Sequence, residues 1–427
     1  MSQKKQTTTT YRLKIREDML TAAFAAFSNR QATMAWGKVY RSYCGSKCDL
    51  IVRELRFTRS LPTGDQHSPL FDWILIHAPT GQQQGEILNR ISQSHVRMGQ
   101  LMVYFEPGNG QQFDQWVGAV IGHDELQPLH TLQLIGPGLP RYRRAKPRTK
   151  SRTHRQPSKT TSEEWSRQID VLGEQVFQKF RYTEVLFIGC GGLGSLMISS
   201  MVRKGLKRAT LVDHDDLEIH NRPRTVGNQP QDVGKAKALV LGRYLHRIRP
   251  ESLLTLITKP VEDASVFDRF RRANVVISCV DNDDCRRYIA QRCAEFLCVN
   301  LDLGTMVARA TGPTGNVPAV ADNPLIISAD VRLLIPGACS ACIGTLENSS
   351  NTTSAVAQDW QAGGRVGSLP SINLMAVGTA IQMYLSFLAG QINGSFWQRM
   401  SWDDERGLTT SAGRVTGDPR CPICRPQ

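Results

Sequence analysis

Gly189-Cys190-Gly191-Gly192-Leu193-Gly194-Ser195 follows a short apolar run, Glu184–Ile188, and opens a stretch of helical character, Leu193–Lys204. Glycines 189, 191 and 194 fit G-x-G-x-x-G. Without side chains they let the backbone turn tightly and approach a nucleotide, and the N-terminus of the following helix favours negative charge. The same spacing also serves a tight strand–helix turn that binds nothing. Downstream, Arg208–Val212 reads as a strand, Val233–Arg247 as a helix, Asn274–Ser278 as a strand, Asp283–Phe296 as a helix and Leu297–Asn300 as a strand. This alternation predicts an α/β fold, a Rossmann-like, mostly parallel sheet with helices on both faces. Ligands of such sheets bind at the carboxyl ends of the strands.

The residues at those ends narrow the chemistry. Val212-Asp213-His214-Asp215 closes the second strand, where an acid can accept hydrogen bonds from ribose hydroxyls. A nicotinamide-dependent oxidoreductase offers the same glycines and the same acid. Further on, Asn221-Arg222-Pro223-Arg224 and Asp232-Val233-Gly234-Lys235-Ala236-Lys237 bring cations towards the glycine loop. Hydride transfer has no need of that charge, whereas attack at the α-phosphate of a triphosphate does. Asp281, after the apolar strand Asn274–Val280, can hold the magnesium that accompanies ATP. The plain alternatives are solvated surface cations at Arg224 and Lys237 and a helix N-cap at Asp281. A nucleotide-binding scaffold without turnover is the third functional reading.

Gly189–Ser195, Asp213, Asn221, Arg224, Lys237 and Asp281, in this order and spacing, resemble the ThiF/MoeB/HesA family, which includes the ubiquitin-activating enzymes. Arg167-Gln168 is similar to the pair that precedes the family's first strand. The resemblance covers about residues 163 to 427. It implies ATP-dependent adenylation of the C-terminal carboxylate of a ubiquitin-like or sulfur-carrier protein, giving an acyl-adenylate and pyrophosphate. It assigns the nucleotide to Gly189, Gly191 and Gly194, with Gly192 beside them, the ribose to Asp213, and magnesium to Asp281. Asn221, Arg224 and Lys237 would take the phosphates. We count Asp215 and Lys235 among the nucleotide-binding candidates. Arg167 would reach the site of a neighbouring subunit, which implies a homodimer. The family motif reads Asn-Leu-Asn/Gln-Arg; Asn221-Arg222-Pro223-Arg224 departs from it in the middle.

Cys339-Ser340-Ala341-Cys342 and Cys421-Pro422-Ile423-Cys424 form two C-x-x-C pairs, a pattern that fits a closed, structural Cys₄ zinc site. Many relatives place a nucleophilic cysteine after the first pair. Here Leu346–Ser354 has none. Cys285 reads as a helix residue, Cys44 and Cys48 stay uncommitted, and no covalent intermediate is expected.

Arg141–Lys159 (RYRRAKPRTKSRTHRQPSK) is basic, proline-punctuated and free of acids. It reads as a solvated linker over about residues 141–162, between an N-terminal α+β domain (1–140) and the adenylation domain (163–427). Contact with nucleic acid or an acidic partner is the weaker reading of that charge. In the first domain Arg16–Phe27 suits a helix, and Trp73–Ile76, Leu101–Phe105 and Trp116–Ile121 suit strands. Tyr104-Phe105-Glu106-Pro107 faintly resembles the His-x-His-Pro motif of JAB/MPN metalloproteases. Tyr104 and Glu106 replace both histidines, and Asp114 and Val117 stand where a serine and an aspartate belong, so such a domain would be an inactive docking module. An unrelated α+β domain is the equal alternative.

Across 427 residues the chain is 41% hydrophobic and 21% charged, ordinary for a globular protein, with a net charge of +14. Its 11 cysteines are odd in number and partly set in apolar segments, which fits reduced thiols plus a metal site. No apolar run of transmembrane length stands out, and MSQKKQTTTTYRLK lacks the apolar stretch of a secretory signal. A cytoplasmic location is the default expectation. The added domain and basic segment tilt the pathway towards a bacterial ubiquitin-like conjugation system, with a conjugating enzyme as a further partner.

Overall fold

A computed structural model describes residues 10–29, 32, 34–44, 47–53, 55–58, 72–77, 102–107, 116–121, 126–135, 141–144, 159–309, 325–344, 367–403 and 407–424. Two compact units divide the chain, one covering residues 1–136 and 140–155, the other 137–139 and 156–427.

The first unit contains β1 (Thr10–Arg16), α1 (Glu17–Ser28), β2 (Met34–Cys44), β3 (Lys47–Val52), β4 (Arg56–Thr58), β5 (Asp72–His77), β6 (Met102–Pro107), β7 (Trp116–Ile121), β8 (Leu126–Ile135) and β9 (Arg141–Arg144). Its strands pair in the order β1-β3-β2-β5-β6-β7-β8, and β1 also pairs with β8, so the sheet closes on itself. Alternation along β1 sends Tyr11, Leu13 and Ile15 into an apolar core with Leu20 and Ala23 of α1. The expected linker is shorter than its composition suggests. Arg141–Arg144 pair with β8 as a strand, and Lys159 already begins a helix.

The second unit contains α2 (Lys159–Leu172), α3 (Glu174–Tyr182), β10 (Glu184–Ile188), α4 (Gly192–Arg203), β11 (Arg208–Val212), α5 (Lys237–Ile248), β12 (Leu253–Ile257), α6 (Ala264–Arg272), β13 (Val275–Ser278), α7 (Asp283–Phe296), β14 (Val299–Arg309), β15 (Leu325–Leu334), α8 (Pro370–Leu388), β16 (Ser395–Asp403) and β17 (Gly407–Val415). Strand order is β12-β11-β10-β13-β14-β15-β16-β17. The first five strands are parallel and the last three run antiparallel. Chain order reverses direction beside β10, which is the switch point where such sheets open a crevice. The helix expected over Val233–Arg247 starts only at Lys237, because Gly234 sits at φ +82° and breaks the turn before it.

The antiparallel half carries charge inside the sheet. Asp302 on β14 pairs with Arg332 on β15, Arg332 Nη2 lies 2.7 Å from Asp330 Oδ2, and Arg399 Nε on β16 lies 2.8 Å from Asp330 Oδ1. All four are buried. At nineteen residues, α8 is apolar and long enough to cross a bilayer, which corrects the sequence expectation. Ala376, Ala380, Tyr384, Phe387 and Leu388 on it are buried in the main core, where α8 packs on α4, β14 and β15. Burial of each large side chain there contributes about 1.5–3 kcal/mol, so α8 is the central core helix of this unit.

Candidate active site

The glycine loop is built by close backbone approach. Gly189 adopts φ +92°, and a Cβ there would come within 2.7 Å of the Cys279 carbonyl oxygen. Gly189 N–H donates to Val212 O and Cys279 N–H to Ile188 O, both at 2.9 Å, so the loop lies between the ends of β11 and β13. Gly194, one turn into α4, presses on the carbonyl of Gly189, which a Cβ would overlap. Gly194 therefore shapes the loop from behind, whereas Gly189, Gly191 and Gly192 face a pocket of about 360 Å³.

Asp213, Asp215, Arg224, Lys237 and Asp281 line the same pocket. Asp213 is buried, and its carboxylate accepts Cys190 N–H at 2.6 Å and Asp215 N–H at 2.9 Å. Burial holds its pKa above the usual carboxylate value, against the pull of those two N–H groups and of Lys237. Lys237 opens α5; its Nζ lies 2.8 Å from Asp215 Oδ2, a contact that lowers the Asp215 pKa. The aliphatic part of Arg224 lies over Gly192. Asn282, not Asp281, caps α7, by accepting Cys285 N–H at 2.8 Å, which leaves the carboxylate of Asp281 exposed at the pocket's edge.

Three candidates sit elsewhere. Asn221 is buried; its Oδ1 takes Glu218 N–H at 3.2 Å and its carbonyl takes Arg224 N–H at 3.1 Å. It builds the turn that carries Arg224 and does not line the pocket. Arg222 continues that turn at φ −55°, ψ −45°, the helical region that a residue before proline usually avoids. Lys235 is turned away to Asp232, 3.1 Å from its Oδ1, in a pair that Arg243 also joins at 2.6 Å. Arg167 is exposed on α2, outside the pocket.

The far wall was not anticipated. Gly304 and Thr305 on β14 and Asn373 on α8 face the pocket, and Thr305 Oγ donates to Asn373 Oδ1 at 2.9 Å. An amide in the first turn of a largely apolar helix was the available signal, shared with Gln382 further along it. Arg286 reaches from α7 to the carbonyls of Val280 and Leu303, tying the segment after β13 that carries Asp281 to the middle of β14. Cys285 also lines the pocket. Burial raises its pKa, and Glu262, Asp281 and Asp284 add to that, so it is a poor thiolate. Leu346–Ser354 lies outside the described residues.

The four cysteines meet. Cys339 Sγ lies 3.6 Å from Cys421 Sγ and 3.9 Å from Cys342 Sγ, and Cys342 Sγ lies 3.6 Å from Cys424 Sγ. Tetrahedral zinc with 2.3 Å bonds to sulfur sets its ligands about 3.8 Å apart, so this donor set fits the ion.

The ThiF family profile matches residues 165–411. Over 226 residues the chain is 26% identical to ubiquitin-like modifier-activating enzyme 5 of Rattus norvegicus, covering 50% of this chain and 51% of that one. It is 30% identical over 155 residues to the sulfur carrier protein ThiS adenylyltransferase of Escherichia coli K12, covering 36% and 60% respectively. The chain thus spans about half the length of the first of these relatives. Among solved structures, the microcin C7 biosynthetic enzyme MccB in complex with N-formylated MccA aligns with a TM-score of 0.48 at 17% identity, over 63% of this chain and 77% of that one. The JAB/MPN likeness of the first unit gains no support from these comparisons, and Asp114 lies outside the described residues.

Proposed function

Since the chain belongs to the ThiF family, we propose that its second unit uses ATP to adenylate the C-terminal carboxylate of a ubiquitin-like or sulfur-carrier protein. One observation carries the reading: Arg224 and Lys237 face the same pocket as the glycine loop, Asp213 and Asp281. Opposite charges thus surround a helix N-terminus, where two anions must meet.

The reaction needs little proton chemistry. A carboxylate oxygen attacks the α-phosphorus, the bond to the bridging oxygen breaks, and its electrons leave with pyrophosphate. The nucleophile is already ionised at neutral pH, so no general base is required. The loop N–H groups and Arg224 hold the phosphates. Lys237 swings from Asp215 to the charge that builds on them. Asp213 receives the ribose hydroxyls. Asp281 would hold magnesium, whose positive charge offsets that of the triphosphate.

The test is ATP–pyrophosphate exchange with a candidate carrier and magnesium. Lys237→Ala and Asp281→Ala should each lower it by about a hundredfold or more; full exchange in both would reject these roles. ATP binding without exchange in the intact chain would mark a scaffold, and tight NADH binding would mark the oxidoreductase.

The same reading takes the four cysteines as a structural zinc site and Arg167 as a group that acts on the site of a second copy. A monomer in sedimentation at assay concentration would exclude that role for Arg167. The added first unit and the basic segment lead us to place this activity in a bacterial ubiquitin-like conjugation pathway with a conjugating enzyme downstream, and we take the cytoplasm as its location. A genomic neighbourhood holding only sulfur-transfer genes would count against it.

A further inference from the structure

The pocket crosses the carboxyl side of the sheet from β11 to β14. Asp213 follows β11, Gly189 follows β10, Asp281 follows β13, and Gly304 and Thr305 lie on β14. With the ribose at Asp213 and the phosphates at the glycine loop, the β14 side is left for the acyl substrate. Among the described residues, Asn373 and Arg286 are the buried polar side chains there, and Arg286 is spent on the carbonyls of Val280 and Leu303. Asn373, in the first turn of α8, is 1% exposed and still faces the pocket. Its Oδ1 is taken by Thr305 Oγ at 2.9 Å, which fixes the amide with Nδ2 on the opposite side. Nδ2 makes one long bond, 3.3 Å, to Ser368 Oγ. It also lies 3.2 Å from where a Gly192 Cβ would be, the spot that the Arg224 side chain flanks from its own direction. An amide nitrogen has two protons to donate, so one is directed beside the phosphate loop.

We propose that Asn373 binds the acyl partner. Its second Nδ2–H donates to an oxygen of the carrier's terminal carboxylate, and after attack to the carbonyl of the acyl-adenylate. Arg224 neutralises the phosphate across Gly192 while Asn373, being uncharged, orients the carboxylate without holding it as an ion pair. The carboxylate thus stays reactive. Thr305 sets the orientation of the amide and is a positioning residue. This rests on the adenylation reading and adds to it the group that distinguishes acyl substrate from nucleotide.

The test uses two probes that need no carrier protein, 5′-O-(N-glycylsulfamoyl)adenosine and AMP, titrated calorimetrically into the full chain. Asn373→Ala should weaken the glycyl probe about tenfold, the scale of one hydrogen bond to a polar group, and leave AMP within about twofold. Asn373→Leu keeps the side-chain volume and removes the donor without adding charge beside the phosphate loop, so it stands in if the alanine variant does not fold. It should weaken the glycyl probe at least as much. Equal losses for both probes, or none for either, overturn the role of Asn373 alone. A wild-type chain that binds neither AMP nor ATP overturns the adenylation reading, and this inference with it.

Discussion

Lys237 Nζ and Asp215 Oδ2 lie 2.8 Å apart across the mouth of the pocket, in a pair whose carboxylate is half exposed. The lysine proposed to serve ATP is thus held by a carboxylate that a triphosphate must displace. An exposed pair of this kind is worth about 0.2–1 kcal/mol, little enough for a triphosphate to break. Asp215→Asn should therefore strengthen ATP binding about two- to fivefold and shift stability by less than about 0.5 kcal/mol. Weaker binding in calorimetry would instead make Asp215 a nucleotide ligand.

Asp213 gives a pH dependence. Its folded pKa is raised, chiefly by burial, so the charged form costs stability at neutral pH and protonation relieves that cost as pH falls. The same proton occupies an oxygen that the ribose needs. Affinity for adenosine, which brings no phosphate to titrate, should fall on acidification from a point above the usual carboxylate range. Asp213→Asn should bind more weakly and lose this limb. An unchanged acid limb in the variant would remove Asp213 from the ribose site.

Gly194 faces no ligand, yet Gly194→Ala should be among the most damaging single-methyl changes in the chain. Its Cβ would overlap the Gly189 carbonyl, a backbone atom that cannot step aside. Overpacking of this kind costs on the order of 3 kcal/mol. Thermal unfolding that matches the wild type would contradict the loop geometry.

Metal analysis of the purified protein should find about one zinc per chain, the stoichiometry of a closed four-thiolate site. Cys421→Ser should remove it and lower the melting temperature; a zinc content unchanged by that substitution would place the ion elsewhere.

Most of the parallel half of the sheet was legible because β10, β11 and β13 are short and apolar, but β12 and α6 were not named from the sequence. The glycine loop, Asp213–Asp215 and Cys279–Asp283 sit directly after β10, β11 and β13, where chain order and spatial order coincide. The antiparallel half was opaque for the opposite reason. β15 carries Asp330 and Arg332 in its buried interior, and β17 is almost wholly exposed, so neither shows a readable apolar period. Asn373 and Thr305 meet across 68 residues of sequence, a separation that no local motif records. Lys235 was assigned to the nucleotide because its cationic neighbours suggested a cluster, but Asp232, three residues earlier, holds it.

The buried acids and arginines of the outer strands have a consequence for assembly. Asp302 stands directly opposite Arg332, and Asp330 directly opposite Arg399. A two-residue slide of β15 along β14 would set Asp302 against Asp330 in one direction or Leu334 in the other. Either misalignment strands an uncompensated ion in the interior, at a cost of roughly 3–5 kcal/mol. These side chains therefore work as teeth of a key: they admit a single alignment of three strands whose aliphatic residues alone would tolerate several.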